Sequence, residues 1–219
     1  MRVDNVTAAK PSIGGGVLHA PFGTALPESA SATLNSAFAD LGYISTDGVK
    51  NTGEITSEDI KAWGGDIVLT PETGKSDKFI VKFIEATNDE VLKVVHGSEN
   101  VSGTLATGIM VRVNSKEHVE ESFVIDTILR NNAVKRIVIP KGKVVAVGEV
   151  QYVDNNLVAY EVTISAAPYD TWDGDTHREY IIAASSGTSS GGSSGESSGE
   201  STESGKGALN DNGNNFKRI

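Results

Sequence analysis

The sequence EITSEDIKAWGGDIVLTPETGKSDKFIVKFIE occupies residues 54–85. In it, runs rich in β-branched and aromatic residues alternate with clusters of glycine, proline and polar residues. Gly64-Gly65 and the polar cluster over Pro71–Asp77 are typical of turns. The runs between them predict three strands, over Glu54–Ala62, Asp66–Thr73 and Lys78–Glu85. Three consecutive strands with short connections predict an antiparallel meander.

The chain that follows continues this pattern after one helix. Asn88 or Thr87 can cap a helix over residues 88–96, with Asp89 and Glu90 in its first turn and Gly97 as its stop. Five further strands are predicted, over Leu105–Val113, Glu120–Leu129, Ala133–Ile139, Lys143–Val153 and Leu157–Ala166. Turns over Pro140–Gly142 and Asp154–Asn156 separate the later ones.

The strand over Glu120–Leu129 carries apolar residues at both alternating positions, including Phe123, Val124 and Ile125. Because successive side chains of a strand point to opposite faces, such a strand is buried on both sides. It lies either deep in a sandwich or at an interface between subunits.

Upstream of these strands, Leu34, Ala37, Phe38 and Leu41 follow helical spacing. With Ser29 or Ser31 as N-cap and Gly42 as stop, they predict a short amphipathic helix. The sequence therefore predicts a mainly β fold, an antiparallel β-sandwich or barrel with one or two short flanking helices.

The two ends of the chain differ from this body. Residues 1–19 contain Pro11 and Gly14–Gly16 without sustained periodicity, which predicts an extended N-terminal arm. Residues 185–219 begin with SSGT, SSGG, SSGE and SSGE in tandem, which predicts a flexible tail that cannot bury enough apolar area to order itself. A single β-rich domain over residues 20–184 lies between them.

Composition excludes several kinds of function. The formal net charge is −10, and the tail holds four acids against three basic residues, so most of this charge lies on the body. Such a body lacks the basic surface with which proteins grip nucleic acid. The chain has no cysteine, which excludes disulfides and thiol chemistry. With no export signal and no stretch of about 20 apolar residues, we expect a soluble protein that does not associate with membranes.

Motifs for catalysis or cofactors are weak. Gly74-Lys75-Ser76 looks like the end of a phosphate-binding loop, but the first glycine of that pattern is missing and no helix pattern follows. The four histidines have no metal-ligand spacing. We therefore expect no metal, no cofactor and no enzyme activity, although motifs alone leave open a second alternative, an enzyme whose catalytic residues are dispersed along the chain. Tyr169 and Trp172 could stack on a sugar, although pinning the last folded segment to the body is the simpler interpretation.

Four segments in order suggest a family. They are PFGTALP at residues 21–27, the segment Ala32–Leu41, LGYIS followed by DGV over Leu41–Val49, and IKAWGGDIV over Ile60–Val68. In their order and spacing they resemble the major tail proteins, or tail tube proteins, of long-tailed, non-contractile bacteriophages. The resemblance extends more weakly to about Asp170.

This resemblance implies a structural virion protein that assembles with itself. Six copies would form a ring, and stacked rings would form the tube that guides DNA from capsid to host. The partners implied are further copies of the chain, the tape-measure protein, the tail tip and the tail terminator, and DNA would pass through the lumen without specific binding. The protein would be assembled in the host cytoplasm and reside in the phage tail.

The same resemblance implies roles for particular residues. An acidic lumen would repel DNA, and the candidate lumen acids are Glu54, Glu58, Asp66 and Glu121. Contacts between subunits would involve the arm and the polar loop over Thr46–Gly53, and the candidates are Val3, Ile13, Val17, Phe22, Lys50 and Trp63. The alternative is a secreted or surface β-sandwich binding module that carries a flexible linker.

Overall fold

The computed structural model describes residues 6–12 and 16–183. This part of the chain contains thirteen strands and one α-helix, with 3-10 turns at Ser98–Asn100, Arg130–Asn132 and Asp170–Trp172. The strands are β1 (Lys10–Pro11), β2 (Val17–Pro21), β3 (Ala39–Asp40), β4 (Ile44–Ser57), β5 (Ile60–Lys61), β6 (Ile67–Leu69), β7 (Glu72–Phe83), β8 (Val101–Ser102), β9 (Met110–Val111), β10 (Glu121–Ile128), β11 (Val134–Val147), β12 (Tyr160–Ala166) and β13 (Arg178–Ile182). The helix is α1 (Asp89–His96).

One large antiparallel sheet organises the molecule, in the order β3-β2-β10-β11-β12-β7-β4. The long strand β11 belongs to two layers: its first half pairs with β10 and β13, and its second half pairs with β12. Within the described residues the path ends at β3 and β4, so the sheet does not close into a barrel. The predicted mainly β, antiparallel, sandwich-like fold is confirmed.

The core lies on both sides of β10, as its sequence predicts. Phe123 and Ile125 pack into the main core with Phe79, Phe83 and the apolar face of α1. Val124 packs on the opposite side of the strand, in a smaller cluster with Leu18, Ala20, Phe38 and Val138. The inward and outward alternation of one strand therefore supplies two separate apolar clusters.

The helix α1 begins and ends where the sequence predicts. The Asn88 side chain accepts a hydrogen bond from the Glu90 amide at 3.0 Å, and Gly97 follows the last turn with φ 89°. Its residues Val91, Leu92, Val94 and Val95 are buried against the sheet. Capping and burial of one face together stabilise this short helix.

The helix predicted over Ala32–Leu41 is wrong, because this segment consists of turns that end in β3. Leu34 and Phe38 still face an apolar cluster, but they cover the β10–β11 layer without helical turns. The guanidinium of Arg136 binds the carbonyl oxygens of Ser29 and Ala32 at 3.2 and 2.6 Å. A tertiary contact thus takes up two carbonyls that a helix would use within its own backbone.

Arg136 also forms a buried ion pair below this segment. Its Nε and Nη2 each donate to a carboxylate oxygen of Asp126 at 2.7 Å, and both residues are buried. A two-point contact of this kind is the geometry in which a buried charge pair is best satisfied. The ion pair therefore fixes the covering segment 29–32 on the sheet.

The residues predicted as a polar loop over Thr46–Gly53 lie inside strand β4. The pairing with β7 skips from Ile44 to Val49, so the intervening residues form an irregular bulge in which Gly48 has φ 68°. A strand at the edge of a sheet tolerates polar residues and such bulges. The prediction was wrong because it treated these residues as marks of a turn.

The turn predicted over Pro71–Asp77 is also wrong, since residues 72–83 form strand β7. This strand pairs directly with β4, and Gly74-Lys75-Ser76 lies within it. The chain reverses at Gly64 and Gly65, which have φ 125° and 100° and lie between the short strands β5 and β6. Instead of a meander, residues 44–83 form one long hairpin with a small second hairpin at its tip.

Two other boundaries differ from the prediction. The segment Pro140–Gly142 is not a turn, because β11 runs through it and changes partner there. A Cβ at Gly142 would lie 2.7 Å from the Phe123 ring and 3.0 Å from Ile164, so glycine is required by close packing at this point. The strand predicted over Leu105–Val113 is reduced to Met110–Val111.

The predicted N-terminal arm is partly a strand of the body. Residues Val17–Pro21 form β2, which pairs with β10, and Lys10–Pro11 add two residues to the same edge of β10. The remainder of the arm includes residues 1–5 and 13–15, which lie outside the described residues. The predicted flexible tail at residues 185–219 lies outside them as well, and the boundaries of the three predicted regions stay predictions.

Candidate assembly surface

The outer half of the β4–β7 hairpin extends away from the core. All residues from Asn51 to Thr70 are exposed, whereas Phe79, Val81 and Phe83 on the inner half of β7 are buried. The strands remain paired out to Ser57 and Glu72. The outer hairpin therefore projects from the body, and none of residues 6–12 and 16–183 covers it.

The tip of this hairpin, residues 58–71, is apolar for an exposed element. Trp63 is fully exposed beside the glycine turn. Further exposed apolar residues of the tip are Ile60, Ile67, Val68 and Leu69. Single apolar residues at a surface are ordinary, but a cluster on a projection is typical of a protein interface.

The hairpin also carries a free strand edge. Among the described residues β4 pairs with β7 on one side and ends the sheet on the other. Its 14 residues present backbone donors and acceptors along that edge, and edges of this length pair readily with another chain. Lys50, a predicted contact residue, is exposed on β4.

A buried carboxylate anchors the base of the hairpin. Asp77, which is 5% exposed, accepts hydrogen bonds from Asn51 at 2.7 Å, Thr176 at 2.7 Å and His177 at 2.6 Å. Burial alone would raise the pKa of Asp77, but these three hydrogen bonds and the charge of His177 outweigh it and hold the pKa below its ordinary value of 3.8. The cluster joins both hairpin strands to the segment that precedes β13.

No pattern in the sequence indicated this anchor. Thr176 and His177 lie about a hundred residues beyond Asp77, and the predicted turn over Pro71–Asp77 included Asp77. The alternation of side chains along β7 between the two faces of the sheet is a signal for this anchor, because Asp77 lies on the same face as Phe79 and Val81. An acid in register with core positions needs hydrogen-bonding partners.

The predicted lumen acids do not share one surface. Glu54 lies on the exposed outer hairpin, and its carboxylate is 4.0 Å from the ammonium of Lys78. Glu58 and Asp66 are exposed in the tip. Glu121 lies on β10, away from the hairpin, and its side chain is 12% exposed. Only the first three therefore lie near one another along the hairpin.

Glu121 forms part of a buried polar contact that the sequence did not predict. The two ring nitrogens of His19 lie 3.1 Å from Glu121 and 3.2 Å from Glu90, and His19 is itself buried. Glu90 also accepts from Lys93 at 2.7 Å. His19 thus links strand β2, strand β10 and helix α1, which is a structural role.

The other predicted contact residues differ in how exposed they are. Val17 is 1% exposed in the main core and offers almost no surface to a neighbouring subunit, so its role as a contact stays a prediction without support from the fold. Phe22 is half-exposed, and its ring meets the edge of Tyr169 at a centroid distance of 6.2 Å. Val3 and Ile13 lie outside the described residues.

The aromatic residues considered for sugar binding pack against one another. Tyr169 and Trp172 form an edge-to-face pair at 5.8 Å, and the Arg178 guanidinium lies 4.5 Å above the Trp172 ring. Arg178 also pairs with Asp175 at 2.8 Å. Since Arg178 covers one face of Trp172, these contacts favour the pinning role over a stacking platform.

Two further histidines have shifted pKa values. Burial lowers the pKa of His96 and of His118, and both lie near the end of α1 rather than at the hairpin. In residues 6–12 and 16–183 no group of three His, Asp or Glu side chains is arranged to hold a metal. No helix in this part of the chain is long and apolar enough to cross a membrane.

Comparison with known proteins gives one family, and the matching solved structures include two tube terminators. A family model described as phage tail tube protein matches residues 3–184. The anti-feeding prophage cap that terminates its tube matches with 8% identity and a TM-score of 0.38, over 84% of this chain and 100% of that chain. The sheath/tube terminator of the extracellular contractile injection system PVC matches with 7% identity and a TM-score of 0.32, over 80% of this chain and 98% of the other. No curated protein matches.

Proposed function

Because the chain belongs to the phage tail tube protein family, and is therefore a structural protein of the phage tail rather than an enzyme, we propose that it is the major tube subunit. Copies join into rings of six, and the rings stack into a tube. The observation that carries this proposal is the exposed β4–β7 hairpin with its apolar tip. Family membership supports a role in the tail tube, and the hairpin offers an exposed surface through which copies can join.

Two features of the hairpin support assembly for separate physical reasons. The free edge of β4 can continue the sheet into the next subunit, which removes an edge that otherwise invites uncontrolled pairing. The tip can bury Trp63 and its apolar neighbours against another copy, at roughly 25 cal/mol per Å² of apolar area. Edge pairing suits growth within a ring, and the projecting tip suits contact between rings.

Contacts away from the hairpin tip belong to the same proposal. Lys50 lies beside the free edge of β4, and Phe22 is half-exposed on the opposite layer. Val3 and Ile13 remain candidate contacts through the N-terminal arm. The tape-measure protein, the tail tip and the tail terminator are the further proposed partners, and the completed tube resides in the virion after assembly in the host cytoplasm.

The tube serves as a conduit that DNA crosses without specific binding. The net charge of −10 per chain opposes adhesion of phosphates to the tube as a whole. Glu54, on the face of the hairpin turned away from the core, is the acid that we retain as a lumen residue. Glu58 and Asp66 are assigned to the tip, and Glu121 is withdrawn because His19 engages it.

The proposal is tested by removing the tip without disturbing the strands. Ser57 and Glu72 are cross-strand partners, so an Asn-Gly turn can join them in place of residues 58–71. We expect full-length protein to form rings or tubes of uniform bore by negative-stain electron microscopy. The shortened variant should remain folded by circular dichroism and fail to form tubes.

A full-length variant that carries Lys116→Gln, an exposed position outside the hairpin, controls for a surface change unrelated to the tip. Wild-type protein that stays monomeric at every concentration, also after addition of tail-tip complexes, would contradict the proposed function. Normal tubes from the shortened variant would contradict the role of the tip.

A further inference from the structure

The buried histidine of strand β2 lies between two acids that come from different elements. His19 is 6% exposed. Its Nδ1 lies 3.1 Å from Oε2 of Glu121 on β10, and its Nε2 lies 3.2 Å from Oε2 of Glu90 on α1. The side chain of Glu121 is 12% exposed and that of Glu90 is 30% exposed. Both ring nitrogens therefore face a carboxylate at a place that is largely shielded from solvent.

The hydrogen-bonding capacity of these three groups restricts where their protons can be. An ionised carboxylate only accepts hydrogen bonds, and a neutral imidazole has one nitrogen that donates and one that accepts. A neutral His19 would donate to one carboxylate and turn a lone pair toward the other. Both contacts are hydrogen bonds only if the three side chains share one further proton. A doubly protonated imidazole donates from both nitrogens, and such charge-assisted bonds are the stronger kind.

We propose that His19, Glu90 and Glu121 form a proton-dependent clamp, in which the buried imidazole carries both ring protons at neutral pH. Loss of one of these protons at alkaline pH leaves a carboxylate without its donor and releases β2 from α1 and β10. This inference goes beyond the proposed function and does not depend on it. It concerns the fold of a single chain, whether or not copies assemble.

The other charged groups on the helix stabilise Glu90 but do not reach Glu121. The Lys93 ammonium lies 2.7 Å from Oε1 of Glu90 and 3.0 Å from Oδ2 of Asp89. Glu90 therefore keeps a cation beside it whether or not the imidazole is charged. Within residues 6–12 and 16–183, Glu121 makes no ion pair with a lysine or an arginine. The proton of the clamp thus matters most for Glu121.

The strands and the loop around Glu121 supply no other cation either. Burial lowers the pKa of His118, in the segment before β10, below its ordinary value of 6.5, so this histidine is neutral at neutral pH. On β11 the ammonium of Lys143 lies 2.9 Å from a carboxylate oxygen of Glu117. On β3 the charged residue is Asp40, which is itself an acid.

The clamp makes the attachment of β2 depend on pH in one direction. An exposed histidine loses its proton above about pH 6.5, whereas the closed clamp keeps it. The closed state then binds one more proton than the open state, so its extra stability is present below that pH and is lost as pH rises. Because β2 supplies Val17 to the main core and Leu18 and Ala20 to the smaller cluster, its release opens both clusters.

Magic-angle-spinning NMR of full-length protein with 15N-labelled histidine detects the ring protons directly, in assembled or unassembled protein. Single substitutions of the other three histidines, His96, His118 and His177, identify the His19 signals by elimination. At pH 7.5 both His19 nitrogens should have the chemical shift of a protonated ring nitrogen. His96 and His118, whose pKa values are lowered by burial, give the neutral comparison at the same pH. A His19 nitrogen without a proton would overturn the inference.

Glu121→Gln removes the need for the second ring proton and keeps the shape of the side chain. The glutamine amide can donate to Nδ1, so a neutral His19 then satisfies both neighbours, and we expect one unprotonated nitrogen. Glu120→Gln is the matched control, because Glu120 is exposed and pairs with Lys141 at 3.3 Å instead of with His19. This variant should keep both ring protons. The same protonation of His19 in the two variants would contradict the role of Glu121.

Amide hydrogen exchange tests the release of β2. After correction for intrinsic exchange rates, protection of residues Val17–Pro21 should fall by about tenfold per pH unit above pH 7 in wild type and in Glu120→Gln. It should stay constant in Glu121→Gln, and strand β13 serves as the internal reference in all three proteins. Equal falls in the two variants would overturn the clamp. Failure to form rings would count against the proposed function alone, because none of these measurements requires assembly.

Discussion

At the scale of single residues, the hairpin depends on the charged form of Asp77. Its lowered pKa means that the folded state binds the proton more weakly than the unfolded chain does. The stability that Asp77 contributes is therefore fully present above its unfolded pKa, near 3.8, and is lost as pH falls through the lower folded value. Asp77→Asn should cost about 1–3 kcal/mol at pH 6, and this cost should shrink toward pH 3.

Urea unfolding of the tip-shortened variant at pH 6, 4 and 3, at a concentration at which a sizing column shows a monomer, measures this difference without interference from assembly. Glu54→Gln removes an exposed acid from the same hairpin and controls for the change in net charge. A cost of Asp77→Asn that stays constant from pH 6 to pH 3 would show that the carboxylate charge is not what holds the hairpin base.

At the scale of elements, patterns within one segment were predictable and contacts between distant segments were not. The helix α1 follows from Asn88, Gly97 and its apolar face alone. The segment Ala32–Leu41 has equally good helical spacing, but Arg136, about a hundred residues away, binds the carbonyl oxygen of Ala32 and that of Ser29 just before the segment. The continuity of β11 likewise depends on packing around Gly142, which no local pattern reveals.

The continuity of β11 through Pro140–Gly142 leads to a prediction about one glycine. A Cβ at Gly142 would approach the buried Phe123 ring to 2.7 Å, so Gly142→Ala should force the core apart and lower the free energy of unfolding by about 1–3 kcal/mol. Gly53 offers a matched control on the exposed hairpin, where the nearest atom to an added Cβ is 4.0 Å away. Gly53→Ala should stay within about 0.5 kcal/mol of wild type. Equal effects of the two variants in urea unfolding would refute the packing argument.

At the scale of the whole molecule, the proposed passage of DNA depends on two quantities. They are the net charge of the chain and the local charge of the sheet face that carries Glu54. A chain of net charge −10 repels phosphates in general, yet the face that carries Glu54 also carries Lys50 and Lys78. Glu54 is the acid that offsets Lys78 on that face, at a distance of 4.0 Å. Glu54→Lys should turn it into a basic strip, and tubes of this variant should retain short duplex DNA at low salt and release it as salt rises, with the steep dependence of phosphate contacts.

Cosedimentation of labelled duplex with tubes at 50 to 300 mM salt measures the effect. Glu28→Lys makes the same charge change on an exposed loop outside the hairpin, and its tubes, like wild-type tubes, should leave the DNA in solution. Equal retention by the two variants would mean that total charge decides and that Glu54 does not face the lumen. Retention by wild-type tubes would contradict passage without binding, because the lysines of the face would then already outweigh the acidic background.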